Sequence, residues 1–391
     1  MTRSRPFAVA CLLLALLATS ASAERAPRNV VLLIGDGMGF GHTTLARLSL
    51  GAPDATLAMD SMPVAGFLKT SSAGPGRGRG IITDSAAAAT ALATGHKTNS
   101  GMIGVLPDGR PVRTVLQAAA ASGRATGMVT DVTVTHATLA AFATHVASRR
   151  EESEIAAQFV SRGEVDVLLG GGESLFVPRS TAGSRRTDDR DLLAEARAAG
   201  HAVVRTREEL QRVQGRRVLG LFAPNALMPG GPGPTLPELT ADALQLLSRD
   251  SRGFFLLVEN GLIDWTSHEN DAPATVREML VFDEAVRTVL QFARKRGDTL
   301  VIVTSDHETG GLSVVAPASG SPAEFRVAWG TEGHSGADVP LLAEGPGARL
   351  FSGVLDNTDV PRRIARLWRL RLDEPAPVSR GERTGSAARA P

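Results

Sequence analysis

The segment around Ser85 combines a nucleophilic side chain with the predicted start of a helix. Asp84 precedes the serine, and a run of four alanines follows it. A hydroxyl in a first helical turn lies beside unpaired backbone N–H groups and the positive end of the helix dipole, which favour an alkoxide or a bound phosphate. Asp84 also has a simpler interpretation, because aspartate is a common N-cap residue. Ser85 is therefore a candidate nucleophile whose assignment depends on the rest of the chain.

Acidic residues follow three apolar segments that have the composition of buried strands. Asp36, Glu259 and Asp306 each come directly after such a segment or two residues beyond it. Ligands of open α/β sheets bind at the carboxyl ends of strands. Three carboxylates that meet there would repel one another unless they hold cations or stay protonated. The pattern therefore predicts a metal site.

Histidines add ligands of a second type. His307 follows an aspartate directly, Asp264 and His268 have helical spacing, and His334 lies in a Gly-His-Ser-Gly sequence. Aspartate with histidine suits zinc, whereas carboxylates with a threonine hydroxyl suit magnesium. Each feature alone has a simpler interpretation, because an Asp-x-x-x-His spacing is usual on a solvated helix face and a single histidine is more often packed or exposed. Packing or surface roles are expected for His42, His96, His145 and His201.

Strand and helix patterns alternate along the chain. Near-continuous apolar runs predict strands over residues 29–34, 65–70, 125–130, 165–169, 218–222, 254–258 and 299–304. Helices are predicted over residues 41–48 and 274–296, and glycine-rich connectors over residues 71–80 and 224–237. The alternation predicts an α/β fold, a three-layer sandwich with a central, mostly parallel sheet flanked by helices.

The first 23 residues have the pattern of a secretory signal peptide. Two arginines precede an apolar run over residues 7–18, which is too short to span a bilayer, and Ala21-Ser22-Ala23 follows it. The single cysteine, Cys11, lies in this segment, so the mature chain would have no disulfide. We expect an exported protein, periplasmic or extracellular, with one large domain over residues 24–375 and a disordered tail over residues 376–391.

The charge balance limits the classes of partner. The formal net charge of the 391 residues is +1, which favours neither nucleic acid nor an anionic membrane surface as a partner. No later stretch of the sequence predicts a transmembrane segment.

Five motifs, taken together, resemble the alkaline phosphatase family over residues 29–372. In the family's order they are Gly35-Asp36-Gly37-Met38-Gly39, Thr83-Asp84-Ser85-Ala86-Ala87, residues 259–268, Thr304-Ser305-Asp306-His307-Glu308 and Gly333-His334-Ser335-Gly336. The resemblance implies a homodimeric enzyme with the alkaline phosphatase-like fold. It would hydrolyse phosphate monoesters to inorganic phosphate through a phosphoserine at Ser85.

The resemblance also implies roles for individual residues. One zinc ion would be held by Asp264, His268 and His334, and a second by Asp36, Asp306 and His307 with the Ser85 oxygen in reach. A third ion, usually magnesium, would use Asp36, Thr138 and Glu259. Arg149 matches the arginine that binds phosphate in the family, whereas its neighbour Arg150 receives no role.

Two positions depart from the pattern of many bacterial members. His136 stands in place of an aspartate near the third ion, and Trp265 stands in place of a lysine near the phosphate. The exchange removes a carboxylate and a cation, so zinc and cobalt are alternatives to magnesium at the third site.

Other functions of the superfamily fit these motifs less well. A sulfatase would need a Cys/Ser-x-Pro-x-Arg sequence, and Ser85 is followed by alanines. A phosphodiesterase is the main alternative, although Arg149 favours a dianionic monoester. A protein that only binds phosphate or metal would have no need for a serine placed among metal ligands.

Overall fold

The structure is a computed structural model that describes residues 26–51, 54–74, 80–315 and 325–373. The predicted signal peptide and the predicted tail lie outside the described residues, as does part of the predicted connector over residues 71–80.

The described residues form eleven α-helices and fourteen strands. The helices are α1 (Phe40–Ser49), α2 (Ser85–Thr94), α3 (Val115–Ala121), α4 (Ala137–Ala143), α5 (Glu152–Arg162), α6 (Leu192–Ala198), α7 (Arg207–Gln211), α8 (Leu236–Leu247), α9 (Leu262–His268), α10 (Ala272–Arg296) and α11 (Asp359–Trp368). The strands are β1 (Asn29–Gly35), β2 (Val64–Lys69), β3 (Ala125–Thr133), β4 (Val167–Gly171), β5 (Ala202–Val204), β6 (Val218–Leu221), β7 (Phe254–Asn260), β8 (Thr299–Thr304), β9 (Glu308–Thr309), β10 (Ser313–Val315), β11 (Arg326–Ala328), β12 (His334–Ser335), β13 (Val339–Glu344) and β14 (Gly353–Asp356).

One ten-stranded sheet forms the centre of the fold. Its strand order is β14-β2-β13-β8-β1-β7-β3-β4-β6-β5. Only β13 runs against the other nine strands of this sheet. Two short antiparallel pairs, β10–β11 and β9–β12, lie outside it. The predicted mostly parallel sheet is therefore confirmed.

Alternate residues of the central strands pack into two separate cores. In β1, Val30, Leu32 and Ile34 belong to one apolar cluster, which also takes in α2, α4 and α11. Val31 and Leu33 belong to a second cluster, which contains the apolar residues of α8 and α10. Side chains of a strand alternate between the two faces of its sheet. The molecule is thus the predicted three-layer sandwich, with helices covering both faces.

The sheet register brings the predicted metal-binding carboxylates to one edge of the sheet. Ile34 of β1 pairs with Glu259 of β7 and with Thr304 of β8, and Glu259 also pairs with Thr130 of β3. The segments that follow these parallel strands therefore leave the sheet side by side. Asp36 and Asp306 lie in two of those segments.

Helix α2 begins at Ser85 and is buried over its whole length. The Asp84 side chain accepts a hydrogen bond from the N–H group of Ala87 at 3.1 Å, so it is the N-cap. Gly95, with a φ of 77°, ends the helix in the left-handed conformation that glycine adopts most easily. The serine predicted in a first helical turn is therefore found there.

Some boundaries differ from the sequence-based predictions. Thr235 and Glu238 form a capping box, so α8 begins at Leu236 inside the predicted connector over residues 224–237. Strand β5 and the strands from β9 to β14 have no counterpart among the predicted strands. Within the described residues, no helix combines the length and the apolar character needed to cross a membrane.

Candidate active site

The centre of the site is built where β1, β7 and β8 end. Asp36, Asp306 and His307 have no exposed surface. The His307 Nε2 atom lies 3.4 Å from Asp36 Oδ1 and 3.3 Å from Asp306 Oδ2. One nitrogen and two carboxylate oxygens thus face one another at distances that an ion bound between them requires. The structure brings together the three residues expected at the second zinc site.

Hydrogen bonds determine which His307 nitrogen is free. The Thr309 hydroxyl lies 2.6 Å from Asp264 Oδ1 and 3.2 Å from His307 Nδ1. It donates its proton to the carboxylate and accepts the Nδ1 proton of the imidazole. The Nε2 lone pair therefore points toward the two aspartates and toward Ser85. Thr309 has no counterpart among the residues singled out in the sequence, because a threonine after a motif carries no distinctive pattern.

A second cluster contains Asp264, His268 and His334. Asp264 and His268 lie one turn apart on α9, and His334 comes from β12, which pairs with β9. The Asp264 Oδ1 atom is 3.3 Å from His268 Nε2 and 3.5 Å from His334 Nε2, and the two Nε2 atoms are 3.1 Å apart. The three residues expected at the first zinc site therefore also meet.

Backbone carbonyls orient both of these histidines. The Nδ1 atom of His334 donates to the Thr83 carbonyl at 2.8 Å, and that of His268 donates to the Glu332 carbonyl. In the neutral tautomer that donates through Nδ1, Nε2 carries the lone pair that a metal ligand needs. The His334 ring stacks on the His307 ring with centroids 3.6 Å apart. The two clusters are therefore adjacent.

The third cluster lies on the other side of Asp36. Its members are Asp36, His136 and Glu259, with His136 Nδ1 at 3.4 Å from Glu259 Oε1 and 3.9 Å from Asp36 Oδ2. Thr130 donates to the other Glu259 oxygen at 2.7 Å. The Thr138 hydroxyl oxygen is buried without a hydrogen-bond partner among the described residues. A buried hydroxyl in that state suits a ligand site.

Unpartnered oxygen atoms support cation binding. Both Asp36 carboxylate oxygens and Asp306 Oδ2 are buried and accept no hydrogen bond from any residue that the structure describes. Buried polar atoms are normally hydrogen-bonded or coordinate metal, and leaving them bare is costly. The donor set, with carboxylates and imidazoles at short range, fits divalent ions.

The electrostatics of the cluster lead to the same conclusion. Burial, together with the Asp306 charge, raises the pKa of Asp36 well above its ordinary value. Burial and the Asp264 charge raise the pKa of Asp306 to about 6. Burial and His334 lower the pKa of His307 to about 3. The charged forms of Asp36 and Asp306 are thus disfavoured without a cation and His307 stays neutral, so positive ions complement this part of the site.

Ser85 lies at the centre of this arrangement. It is 2% exposed, and its Oγ is 3.2 Å from His307 Nε2. Arg149 lies close by, with Nη1 at 3.3 Å from Asp84 Oδ2 and Nη2 at 3.0 Å from His136 Nε2. Asp84 therefore has two functions, because it caps α2 and holds Arg149.

His136 contacts both the third cluster and Arg149. Because Nε2 accepts the Arg149 proton, Nδ1 carries the ring proton and faces Glu259. The Trp265 ring packs edge-on against the imidazole, with centroids 6.3 Å apart. The two departures from the family pattern are thus neighbours in space.

A histidine expected to have a packing role does have one. His42 is fully buried, accepts from the N–H group of Gly39 at 3.1 Å and contacts Ser267 Oγ at 3.0 Å. Burial lowers the pKa of His42 to about 3, so it is a neutral structural residue near the site.

Known proteins are similar to this chain in both sequence and fold. The sequence profile of the family described as alkaline phosphatase matches residues 27–325 and 323–370. Streptomycin-6-phosphate phosphatase of Streptomyces griseus is 38% identical over 88% of this chain and 91% of its own length.

Solved structures agree with the sequence relatives. The alkaline phosphatase of the Antarctic bacterium TAB5 superposes with a TM-score of 0.80 at 33% identity, covering 88% of this chain and 99% of that one. A variant of the TAB5 enzyme has a histidine-to-glutamate substitution and is described with Mg bound in the M3 site. It superposes with a TM-score of 0.80 at 32% identity, covering 89% of this chain and 99% of that one. The chain therefore belongs to the alkaline phosphatase family of metal-dependent phosphomonoesterases.

Proposed function

We propose that this phosphatase acts through a phosphoserine at Ser85, with two zinc ions and a third divalent ion. The observation that carries the proposal is the place of the Ser85 hydroxyl, 3.2 Å from His307 Nε2 among buried, unpartnered carboxylates. A hydroxyl in the first turn of a buried helix also has backbone N–H groups and the helix dipole beside it.

The three clusters fit three ions. One zinc would be held by Asp264, His268 and His334, and the other by Asp36, Asp306 and His307. The third ion would use Asp36, Thr138 and Glu259, with His136 close by. When bound, the zinc ions would lower the pKa of the Ser85 hydroxyl and neutralise charge on the leaving oxygen.

Ser85 supplies the nucleophile in the proposed mechanism. Its Oγ attacks phosphorus, the bond to the alcohol oxygen breaks, and the alcohol leaves as the phosphoserine forms. Attack of water on the same phosphorus then releases inorganic phosphate and regenerates the Ser85 hydroxyl. Two in-line displacements give net retention of configuration at phosphorus.

Arg149 would hold the transferred phosphoryl group. Its guanidinium presents two N–H donors in one plane, which match two non-bridging phosphate oxygens. It must turn away from His136 Nε2 to do so. Asp84 remains as its second partner and limits how far it turns.

The third site has a distinct ligand set. An imidazole near the ion favours zinc or cobalt over magnesium, whereas a carboxylate in its place favours magnesium. The TAB5 variant that carries glutamate in place of a histidine, and is described with bound Mg, supports this dependence on the residue type.

Export and assembly are part of the proposal. The signal peptide predicted over residues 1–23 would direct the chain to the periplasm or the medium, and a homodimer is expected. N-terminal sequencing of the secreted protein and light scattering test these two statements. A mature N-terminus before residue 24 would contradict the first, and a monomeric mass the second.

Trapping the intermediate tests the central proposal. Protein quenched in acid during turnover of p-nitrophenyl phosphate should carry phosphate on the peptide that contains Ser85, as mass spectrometry measures it. Ser85→Ala should keep its metals and fold, lose the label and lose most turnover, with some hydrolysis left because the electrostatic site remains. Ser49→Ala, an exposed serine on α1, serves as the control. Full activity in Ser85→Ala would refute the assignment.

A further inference from the structure

A cavity of about 350 Å³ opens beside the phosphoryl site. It is lined by His136, Arg149 and Trp265, which lie at that site, and its other charged lining residues are Arg150, Glu152 and Arg185. A group bonded to a phosphoryl held by Arg149 has this space next to it. The cavity is therefore placed to receive the leaving half of a substrate.

The charges around the cavity leave one cation uncompensated. Arg149 pairs with Asp84 at 3.3 Å, and Arg185 pairs with Glu152 at 3.1 Å. The exposed Arg150 guanidinium forms no ion pair or hydrogen bond with any residue in the described ranges. Glu152 is the acidic residue of the wall, and it is engaged by Arg185 and by the Thr135 hydroxyl at 3.0 Å. An anionic group in the cavity would meet a net positive wall.

Trp265 gives the same cavity a flat apolar surface. It is 37% exposed, although large aromatic side chains are usually well buried. Its contact with His136 is edge-to-face, at a ring angle of 75°. The exposed part of the indole is available for stacking against a planar ring.

We propose that this cavity is a subsite for the leaving group and that it selects nucleoside diphosphates. Arg150 would contact the phosphate that stays on the nucleoside, and Trp265 would stack on the base. The inference rests on the proposed reaction at Ser85. The Ser85 oxygen bonds to the terminal phosphorus, the bond from that phosphorus to the bridging oxygen breaks, and the nucleoside monophosphate leaves with the electron pair. Water then hydrolyses the phosphoserine to phosphate, and the protons released pass to solvent.

Substrates that differ only in their leaving group test the subsite. ADP has an anionic leaving group with a planar ring, pyrophosphate has the charge alone, and glycerol 2-phosphate has neither. Arg150→Gln should lower kcat/KM about fivefold to tenfold for ADP and for pyrophosphate, because a charge-assisted contact is lost. For glycerol 2-phosphate the change should be less than about twofold. Arg179→Gln, a surface arginine paired with Asp189 outside the cavity, is the matched control.

Trp265→Leu separates the two halves of the proposal. The measured quantity is kcat/KM for ADP divided by kcat/KM for pyrophosphate. Trp265→Leu should lower this ratio about threefold or more, because only ADP has a base that can stack on the indole. An equal effect of Arg150→Gln on all three substrates, or no effect on ADP, would overturn the subsite. An unchanged ADP-to-pyrophosphate ratio in Trp265→Leu would overturn the stacking. Failure of the Ser85 assignment would be seen separately, as labelling and turnover that survive in Ser85→Ala.

Discussion

The Nη2 atom of Arg149 lies 3.0 Å from the Nε2 atom of His136. The residue expected to bind phosphate is thus in direct contact with a residue of the third metal cluster. One imidazole cannot accept from Arg149 at Nε2 and coordinate an ion at Nδ1 without losing its ring proton, so direct coordination by His136 and its contact with Arg149 exclude each other.

Replacing His136 and Trp265, the two residues that depart from the family pattern, should change the metal preference of the third site. In His136→Asp with Trp265→Lys, a carboxylate joins the third cluster and a cation joins the phosphate site. We expect greater activation by added magnesium and tighter inhibition by phosphate than in the unaltered protein, because magnesium prefers oxygen ligands and lysine adds an attractive charge. Weaker phosphate binding in the unaltered protein would also speed product release, which often limits turnover.

Activity across a magnesium series, with phosphate inhibition constants, measures both effects. The single variants His136→Asp and Trp265→Lys show which substitution changes magnesium activation and which changes phosphate inhibition. If magnesium curves and inhibition constants were identical in the double variant, His136 and Trp265 would have only the packing role that their edge-to-face contact provides.

Arg149→Ala should weaken binding of substrate and of inorganic phosphate. Loss of a charge-assisted bidentate contact should raise KM and the phosphate inhibition constant by the equivalent of roughly 1.5–3 kcal/mol. The measurement is phosphate inhibition of p-nitrophenyl phosphate hydrolysis. Arg179→Ala, at a surface arginine paired with Asp189 outside the cavity, is the control. Equal phosphate affinity in Arg149→Ala and the unaltered protein would contradict the assigned role.

Much of the fold follows from patterns that the sequence displays directly. Strand β8 has the bounds that its apolar run predicts, and β1 and β7 differ from their predictions by one or two residues. These strands are buried on both faces, so their hydrophobic runs are continuous and easily recognised. The carboxylates at their ends were found for the same reason.

Metal removal should destabilise the protein as well as inactivate it. Ions that bind only the folded state stabilise it, and the bare site brings buried carboxylates together. A chelator should lower the melting temperature by roughly 5–10 °C, as scanning calorimetry measures it. Asp306→Asn removes one ligand and one repelling charge, so its chelator-induced shift should be smaller. Equal melting temperatures with and without metal would show that the sites are uncoupled from folding.

His145 should make stability fall as the pH decreases. Its Nδ1 atom donates to the Gly104 carbonyl at 2.6 Å, and its Nε2 atom accepts from Gln117 at 3.0 Å. Burial is the main cause that lowers the pKa of His145 to about 4. The unfolded chain has a histidine pKa of about 6.5 and so binds the proton first, which favours unfolding as the pH falls from about 6.5 toward about 4.

His145→Asn keeps a donor near Nδ1 and removes the titration. We compare the free energy of unfolding of the unaltered protein with that of the variant. The difference, unaltered minus variant, should decrease by about 3 kcal/mol when the pH is lowered from 7 to 4. Urea unfolding at a series of pH values measures this difference. A difference independent of pH would show that the histidine does not carry the effect.

Other parts of the structure depend on contacts that a local pattern does not encode. Strand β13 runs against the other strands of the sheet, and its place between β2 and β8 is decided by tertiary pairing. The Thr309 hydroxyl links His307 to Asp264, and the contact with Asp264 joins residues 45 positions apart in the sequence. Nothing in the local sequence distinguishes Arg150 from Arg149, and only the three-dimensional arrangement shows that the Arg150 guanidinium has no partner among the residues that the structure describes.

The pairing of β12 with β9 affects when the protein acquires its metals. Asp36 is made near the beginning of the chain, whereas His334 comes late and reaches the site only through that short strand pair. An emerging chain therefore lacks one residue of the proposed first zinc site until most of the polypeptide has been synthesised. Under the export proposed above, a chain that crosses the membrane before it folds would acquire the proposed zinc on the far side, in the compartment to which it is delivered.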